Sequence, residues 1–260
     1  MKLLSRSVFY LKTLILLLKK VRQPLRIFVR LLRKLPVGEL TLKNGTTFAA
    51  STSNNLFEII KEVWFEHRYN PPDLKIEKTG VIVDIGANVG VFSIYARQLT
   101  SGKILTVEPF AENCLRLRRN LKRNRIKNVI LEQAAISKQT GKRHLFAQTS
   151  DSGHSFYLAD KSTGSLLVKT YAFTDLLKKH VIKNIALLKV DCEGEEGELF
   201  SSLTDSTLSV ISNIALEFHD NCSTLSHQQL EKLLVKAGFT VRLAWDGSSP
   251  FGYLYATRST

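Results

Sequence analysis

The chain has 260 residues, 44% of them hydrophobic and 23% charged, which suits one globular domain with a small appendage and excludes fibrous, collagen-like or wholly disordered chains. Cys114, Cys192 and Cys222 form no C-x-x-C pair, so neither a disulfide framework nor a cysteine-rich zinc site is expected, and a reducing, cytoplasmic compartment fits. The formal charge of +14 is concentrated at one end: the first 38 residues hold ten basic side chains and no acid, leaving 27 basic against 23 acidic in the body.

The leader, residues 1–35, contains an apolar run at 8–18 broken by Lys12. It is too short to cross a bilayer, which takes roughly 20 residues. The run is followed by Lys19-Lys20-Val21-Arg22 rather than by small residues, so it does not read as a cleavable export signal. From residue 21 the pattern is amphipathic, with Arg22, Arg26, Arg30, Arg33 and Lys34 on one arc and Val21, Leu25, Phe28, Leu32 and Leu35 opposite. Such a helix can lie in the headgroup region of an anionic membrane, making a peripheral attachment through residues 1–35 one expectation. The plainer reading is a helix packed on the body with a solvated basic face. Nucleic acid is disfavoured as a partner because no aromatic residues are interleaved for base stacking.

Residues 36–78 read as a cap. Residues 39–42 and 46–50 flank Lys43-Asn44-Gly45, a hairpin signal. A helix follows from Asn55, with Glu58 placed to complete a capping box, and Tyr69-Asn70-Pro71-Pro72 ends it. Residues 79–260 then alternate strands (81–85, 103–108, 129–133, 186–191, 214–218) with helices (91–99, 112–123, 195–203, 226–237). This predicts a doubly wound α/β sheet. Residues 144–148 and 166–170 read as a β excursion followed by a short helix at 173–179, and 241–245 with 251–257 as a terminal hairpin.

The most informative segment is Val81-Ile82-Val83-Asp84-Ile85-Gly86-Ala87-Asn88-Val89-Gly90. A strand enters glycine-punctuated backbone and then a helix, where a nucleoside ligand can approach the chain. Glu108, followed by Pro109, ends the next strand, where an acid can accept both ribose hydroxyl protons. A dinucleotide site requires G-x-G-x-x-G, but here Asn88 occupies the second glycine's place and Asp84 adds a carboxylate at the mouth. That acid would repel a pyrophosphate and receive an ammonium, so S-adenosyl-L-methionine fits better than NAD.

Asp84–Gly90 as D-x-G-A-N-x-G, Glu108, Ala134-Ala135-Ile136 followed by Gly141, Lys189-Val190-Asp191-Cys192-Glu193-Gly194 with Glu196, and Glu217-Phe218-His219 together resemble the FkbM family of methyltransferases. The resemblance runs from about residue 55 to 239. It implies a Rossmann-like seven-stranded sheet whose terminal hairpin inserts an antiparallel strand, and methyl transfer from S-adenosyl-L-methionine mainly to hydroxyl oxygens of sugars, glycolipids or polyketide-like natural products. Carried over by position, Asp84, Gly86, Ala87, Asn88 and Gly90 would line the methionine end, Glu108 and Pro109 the ribose, and Gln133 and Ala134 the adenine. Asp191 and Glu193 would face the methyl group and acceptor. Gly197 departs from the family pattern, which usually has an apolar residue there, and is expected to loosen the helix start.

A neutral alcohol needs a base to take its proton as the bond forms. His219, whose ring ordinarily titrates near neutrality, is the first candidate, with His154 in Ser152-Gly153-His154-Ser155 the second. Asp191, Glu193, Glu217 and His154 are the candidate acceptor contacts. Asp191, Glu193 and Glu217 could instead gather a divalent metal, a lesser expectation than sugar binding or helix capping. Asn70-Pro71-Pro72-Asp73 lacks the stacking aromatic of base-modifying enzymes and reads as a loop, and Cys192 as a packing residue rather than a nucleophile. Two other functions are compatible with the sequence: an NAD-dependent oxidoreductase or epimerase, and a non-catalytic membrane-associated adaptor on the same fold.

Overall fold

Period-two alternation in the central strands sorts the chain into two faces, and each face collects its own helices. The computed structural model describes residues 2–50, 55–146 and 165–258. In chain order, helices α1 (Lys2–Lys20) and α2 (Pro24–Leu32) lead into a hairpin of β1 (Glu39–Thr41) and β2 (Thr47–Ala49), then α3 (Leu56–Ile60), which continues as one π-helical turn at Lys61–Phe65. The body follows as β3 (Ile82–Ile85), α4 (Val91–Leu99), β4 (Ile104–Glu108), α5 (Ala111–Arg123), β5 (Val129–Gln133), β6 (Ala135–Ile136), β7 (Gly141–Phe146) and β8 (Ser165–Tyr171). It ends with α6 (Phe173–Lys179), β9 (Leu187–Val190), α7 (Glu196–Ser202), α8 (Asp205–Leu208), β10 (Asn213–His219), α9 (His227–Lys236), β11 (Thr240–Ala244) and β12 (Phe251–Thr257).

Seven strands form the main sheet in the order β11-β12-β10-β9-β3-β4-β5. β3, β4, β5, β9 and β10 run parallel, and β12 enters antiparallel between β10 and β11. This is the expected Rossmann-like methyltransferase sheet with its inserted terminal strand. Ile82, Ile104, Leu187 and Ala215 face one apolar cluster with α4 and the cap. Their neighbours Val83, Leu105, Leu188 and Ile214 face the other, with α6, α7 and α9. The β excursion is a separate three-stranded sheet, β6-β8-β7, because Ala135–Ile136 adds a short parallel strand to the predicted pair.

The cap follows the predicted hairpin and helix, with two local differences. Asn55 begins α3 without a side-chain cap, and Glu58 pairs with Lys61 instead of closing a capping box. The π-turn that follows shifts the helix register, as such turns often do beside functional sites. The leader is stitched to the hairpin: Val21 forms a bridge to Leu42, Arg22 N–H donates to Thr41 O at 2.9 Å, and Lys43 N–H donates to Lys20 O at 2.9 Å.

The hairpin is held to the body by two asparagines one helical turn apart, one on α5 and the other capping its C-terminal end, whose amides imitate a neighbouring strand. Ala49 N–H donates to Asn120 Oδ1 (2.9 Å) while Asn120 Nδ2 donates to Ala49 O and Val89 O (both 2.9 Å). Asn124 makes the equivalent pair with Thr47 at 2.8 and 2.7 Å. Asn120 is fully buried, so removing its amide strands three backbone groups. Asn120→Leu is expected to lower unfolding stability by roughly 2–4 kcal/mol in urea titration. A loss below about 1 kcal/mol would show that packing alone holds the hairpin.

Candidate active site

The same alternation that builds the core places one row of polar side chains on the cap-facing side of the sheet. Asp84 on β3 lies in register with Thr106 on β4 and Lys189 on β9. Asp191 and Glu217 continue the row toward the carboxyl ends of the strands, where a doubly wound sheet binds ligands. A cleft of about 450 Å³ opens there. Its walls come from the turn after β3, the ends of β4, β9 and β10, the α3 region and Tyr69.

Lys189 is the buried cation of this row. Its ammonium donates to Gly86 O (2.9 Å) and Ile85 O (3.2 Å), and pairs with Asp84 (3.3 Å) and Asp191 (3.5 Å). Burial works against its charge, but Asp191 and Asp84 outweigh that and raise its pKa. Its charge also lies 5.0 Å from the centre of the Tyr69 ring. The Tyr69 hydroxyl in turn sits 2.9 Å from Asp191 Oδ2 and 2.7 Å from Glu217 Oε2. One hydroxyl proton cannot serve two carboxylates, so the trio is satisfied when Glu217 carries a proton of its own. Burial and then Asp191 push Glu217 up to about 7, in keeping with that.

His219 is set differently from the expectation of a base titrating near neutrality. Its Nδ1 lies 3.0 Å from the buried Glu196 Oε1 and its Nε2 3.5 Å from Glu193 Oε2. Burial disfavours the charged ring, yet the Glu196 hydrogen bond and the charges of Glu196, Glu193 and Glu217 push it up to about 10. At neutral pH the ring is an imidazolium with no lone pair to offer. Glu193 moves up as well, to about 9, through burial and then Asp191. It occupies the left-handed region at φ 55, followed by Gly194 at φ 109, so a strained turn presents its carboxyl to the cleft. Glu62, on the π-turn, is raised to about 8 by burial and then by Glu217 and Asp191.

At the other end of the cleft, Glu108 is buried, and its carboxylate accepts the Asn88 N–H (2.8 Å) on one oxygen and the Phe110 N–H and Asn113 Nδ2 (both 3.1 Å) on the other. Burial raises its pKa against these bonds. Phe110, Ala134, Ile136 and Leu145 form an apolar slot beside it.

Of the residues singled out from sequence, Gly86, Ala87, Asn88, Glu108, Pro109, Ala134, Asp191, Glu193, Glu217 and His219 meet around this cleft. Asp84 does not reach its mouth. It is fully buried, accepting from Ser93 Oγ at 2.6 Å and pairing with Lys189. Gly90 is packed beneath Leu117, whose Cγ would lie 2.8 Å from an added Cβ, and Gln133 is exposed at the end of β5. His154 lies outside the described residues. Gly86, at φ +72, serves a close backbone crossing: a Cβ there would stand 1.6 Å from Asp191 O. Gly197 lies in the first turn of α7, and its missing side chain admits the loop at Ser223, whose hydroxyl accepts the Gly197 N–H at 3.0 Å.

Tyr69, Glu62 and Phe110 were not marked by sequence, and Lys189 had no role. The Asn70-Pro71-Pro72-Asp73 segment is a loop whose Asp73 pairs with Arg242 at 2.8 Å. Burial lifts the Cys192 thiol well above its ordinary range, which suits a packing residue. Asp191, Glu193 and His219 are also the one group among the described residues whose ligand atoms, all within 4.8 Å of one another, could hold a metal ion.

Residues 84–241 match the Methyltransferase FkbM domain. The chain is 23% identical over 236 residues to the 31-O-demethyl-FK506 methyltransferase FkbM of Streptomyces tacrolimicus, spanning 79% of this chain and 90% of that one. It is 27% identical over 215 residues to Methyltransferase sdnD of Sordaria araneosa, spanning 70% and 82%. Among solved structures, Methyltransferase FkbM from Methylobacillus flagellatus KT shares the fold with a TM-score of 0.52 at 14% identity, over 72% of this chain and 46% of that one.

The raised groups set the direction in which stability changes with pH. His219, Glu193 and Glu62 all hold protons in the folded state at pH values where the unfolded chain has released them. Stability from His219 is therefore complete below about pH 6.5 and lost as pH rises through about 10, with Glu193 and Glu62 acting in the same direction from about pH 4.5 upward. The melting temperature should fall steadily from pH 6 to pH 10. In Glu196→Gln the His219 ring resonances should titrate about one to three units lower by NMR. An unchanged His219 titration would mean that Glu196 does not set its charge.

Proposed function

The chain belongs to the FkbM methyltransferase family, and we propose that it transfers the methyl group of S-adenosyl-L-methionine to a hydroxyl oxygen of a sugar, glycolipid or related natural product. The observation that carries this reading is the division of the cleft into an adenosyl-shaped end and a carboxyl-rich end. Glu108 stands where a ribose diol would be accepted, the apolar slot of Phe110, Ala134, Ile136 and Leu145 suits an adenine, and Asp191, Glu193 and Glu217 suit a ligand bearing positive charge. When bound, the cosubstrate supplies an electrophilic methyl group on a sulfonium.

The remaining work falls to the chain. Carboxyl groups at the edge of the sheet would hold the acceptor by its hydroxyls and so fix the position of the nucleophilic oxygen. Glu193, in its ionised form, would take the hydroxyl proton of the acceptor. His219 is charged and cannot take it, and its imidazolium beside Glu193 favours the carboxylate form. Lys189 and Tyr69 fix Asp191 and Glu217 beside it. Two of the relatives' names agree in kind: one acts on 31-O-demethyl-FK506, the other is a methyltransferase without a named acceptor.

A dinucleotide fits less well. The Asn88 N–H that would cradle a pyrophosphate is already given to Glu108.

Calorimetric titration with S-adenosyl-L-methionine, S-adenosylhomocysteine and NAD tests the cofactor end. Both adenosyl ligands should bind, NAD should not, and Glu108→Ala should weaken binding by at least about tenfold. NAD binding alone would overturn the assignment, and a folded protein that binds nothing would favour a non-catalytic adaptor. With an acceptor in hand, kcat should climb with pH toward about 9 as Glu193 loses its proton. Glu193→Gln should lower kcat by roughly 10²–10⁴-fold and remove that rise while leaving S-adenosylhomocysteine affinity within a few fold. Retention of the rise in the variant would move the base elsewhere.

A further inference from the structure

The leader touches the body along a narrow seam. Leu17, Val21 and Ile27 are buried in the cap-side apolar cluster, and Arg30 Nε donates to Pro36 O at 2.8 Å. Away from the seam both helices turn apolar side chains outward. Nine of the sixteen exposed large hydrophobic residues among the described residues lie between Val8 and Leu35, with Leu25 exposed to 64%.

The exposed residues are ordered. At about 100° per residue, Val8, Leu11, Ile15 and Leu18 on α1 fall within an arc of about 80°, opposite the buried Leu17. On α2, Leu25, Val29 and Leu32 share a similar arc, with Arg26 and Arg33 at its margin and Ile27 on the far side. Exposed apolar stripes along both helices of the leader mark a surface built to be covered.

We propose that α1 and α2 lie in the headgroup plane of an anionic bilayer, as a monotopic anchor carried on the hairpin. Charge selects this occupant. The first 38 residues carry ten cations and no acid, so a second copy of the chain would bring like charge to like charge. A nucleic acid would answer the cations but leave the apolar stripe in water. An anionic bilayer answers both: leucines and isoleucine enter the acyl boundary while lysine and arginine stems lie along it and place their charges among the headgroups. The helices lie on the surface rather than across it, since no helix among the described residues is long and apolar enough to cross a membrane. The seam residues share one apolar cluster with Val63 and Phe92, which line the cleft, so anchoring fixes the cleft relative to the bilayer. This attachment does not depend on the reaction assigned to the cleft.

Flotation of the full chain with vesicles of phosphatidylcholine alone, or mixed with phosphatidylglycerol, tests the proposal. Binding is expected to the anionic vesicles, weaker by at least about tenfold on the neutral ones, and falling with salt. The triple variant Leu11→Glu, Ile15→Glu, Leu25→Glu should lose it, and Arg26→Ser with Arg33→Ser should weaken it by about tenfold, while Val235→Glu, an exposed apolar site elsewhere, should change nothing. Circular dichroism and S-adenosylhomocysteine binding verify that each variant is folded; if the triple variant is not, Ile15→Glu alone replaces it. No vesicle binding by the folded wild type overturns the proposal, as does undiminished binding by the apolar-to-Glu variants. Concentration-dependent self-association, or RNA binding, without vesicle binding would assign the surface to that other occupant.

Discussion

A single buried ammonium organises this protein. Lys189 is almost wholly removed from water, and its three donors are spread over two backbone carbonyls and two carboxylates. A charge in that position is tolerable only while all of these partners surround it. It therefore ties the turn after β3 to the end of β9, two segments that the chain brings together across about a hundred residues. Gly86 is part of the same constraint, because the backbone crossing that lets Lys189 reach its carbonyl leaves no room for a Cβ. From that fixed point the rest of the site follows: Asp191 is aimed by Lys189, Tyr69 by Asp191 and Glu217, and the acids around them are crowded enough that several keep protons at neutral pH.

The architecture was largely legible in the sequence because each central strand is a short apolar run bounded by turn chemistry, and each helix has a 3.6-residue apolar face. Even the antiparallel insertion was visible as a hairpin at the end of the chain. What escaped were features made by tertiary contact. The π-turn at Lys61–Phe65 has no local signature, and the two-residue strand β6 exists only because β8 lies alongside it. The Asn120 and Asn124 amides look like ordinary polar helix positions until β2 is placed against them.

The candidate site was legible in its residues more than in their roles. Glu108 could be read from the spacing of an acid after a glycine turn, and its bond to Asn88 fits that reading. Asp84 could not be placed, because whether a strand-end carboxylate faces a ligand or a buried lysine depends on the partner strand. His219 illustrates the same point for charge: an isolated imidazole titrates near neutrality, but a buried carboxylate contributed by Glu196, 23 residues earlier, keeps this one charged. Tyr69 was hidden by its setting, a helix-ending turn whose prolines explained the segment without it.

The residues that the family model matches, 84–241, include Glu108, Asp191, Glu193 and His219, while Tyr69, Glu62 and the Glu58 and Ile59 wall lie upstream of them. Part of the wall of the cleft is thus supplied by α3, its π-turn and Tyr69, which rest on α4 through Trp64 Nε1 to Val91 O at 3.3 Å and His67 Nδ1 to the Tyr95 hydroxyl at 2.8 Å, while the two asparagine amides hold the hairpin before them. A substitution in that wall can reshape the carboxyl-rich end of the cleft without touching Glu108 at the other. The wall of the cleft is complete only where residues 69, 191 and 217 meet, three positions drawn from widely separated stretches of the chain.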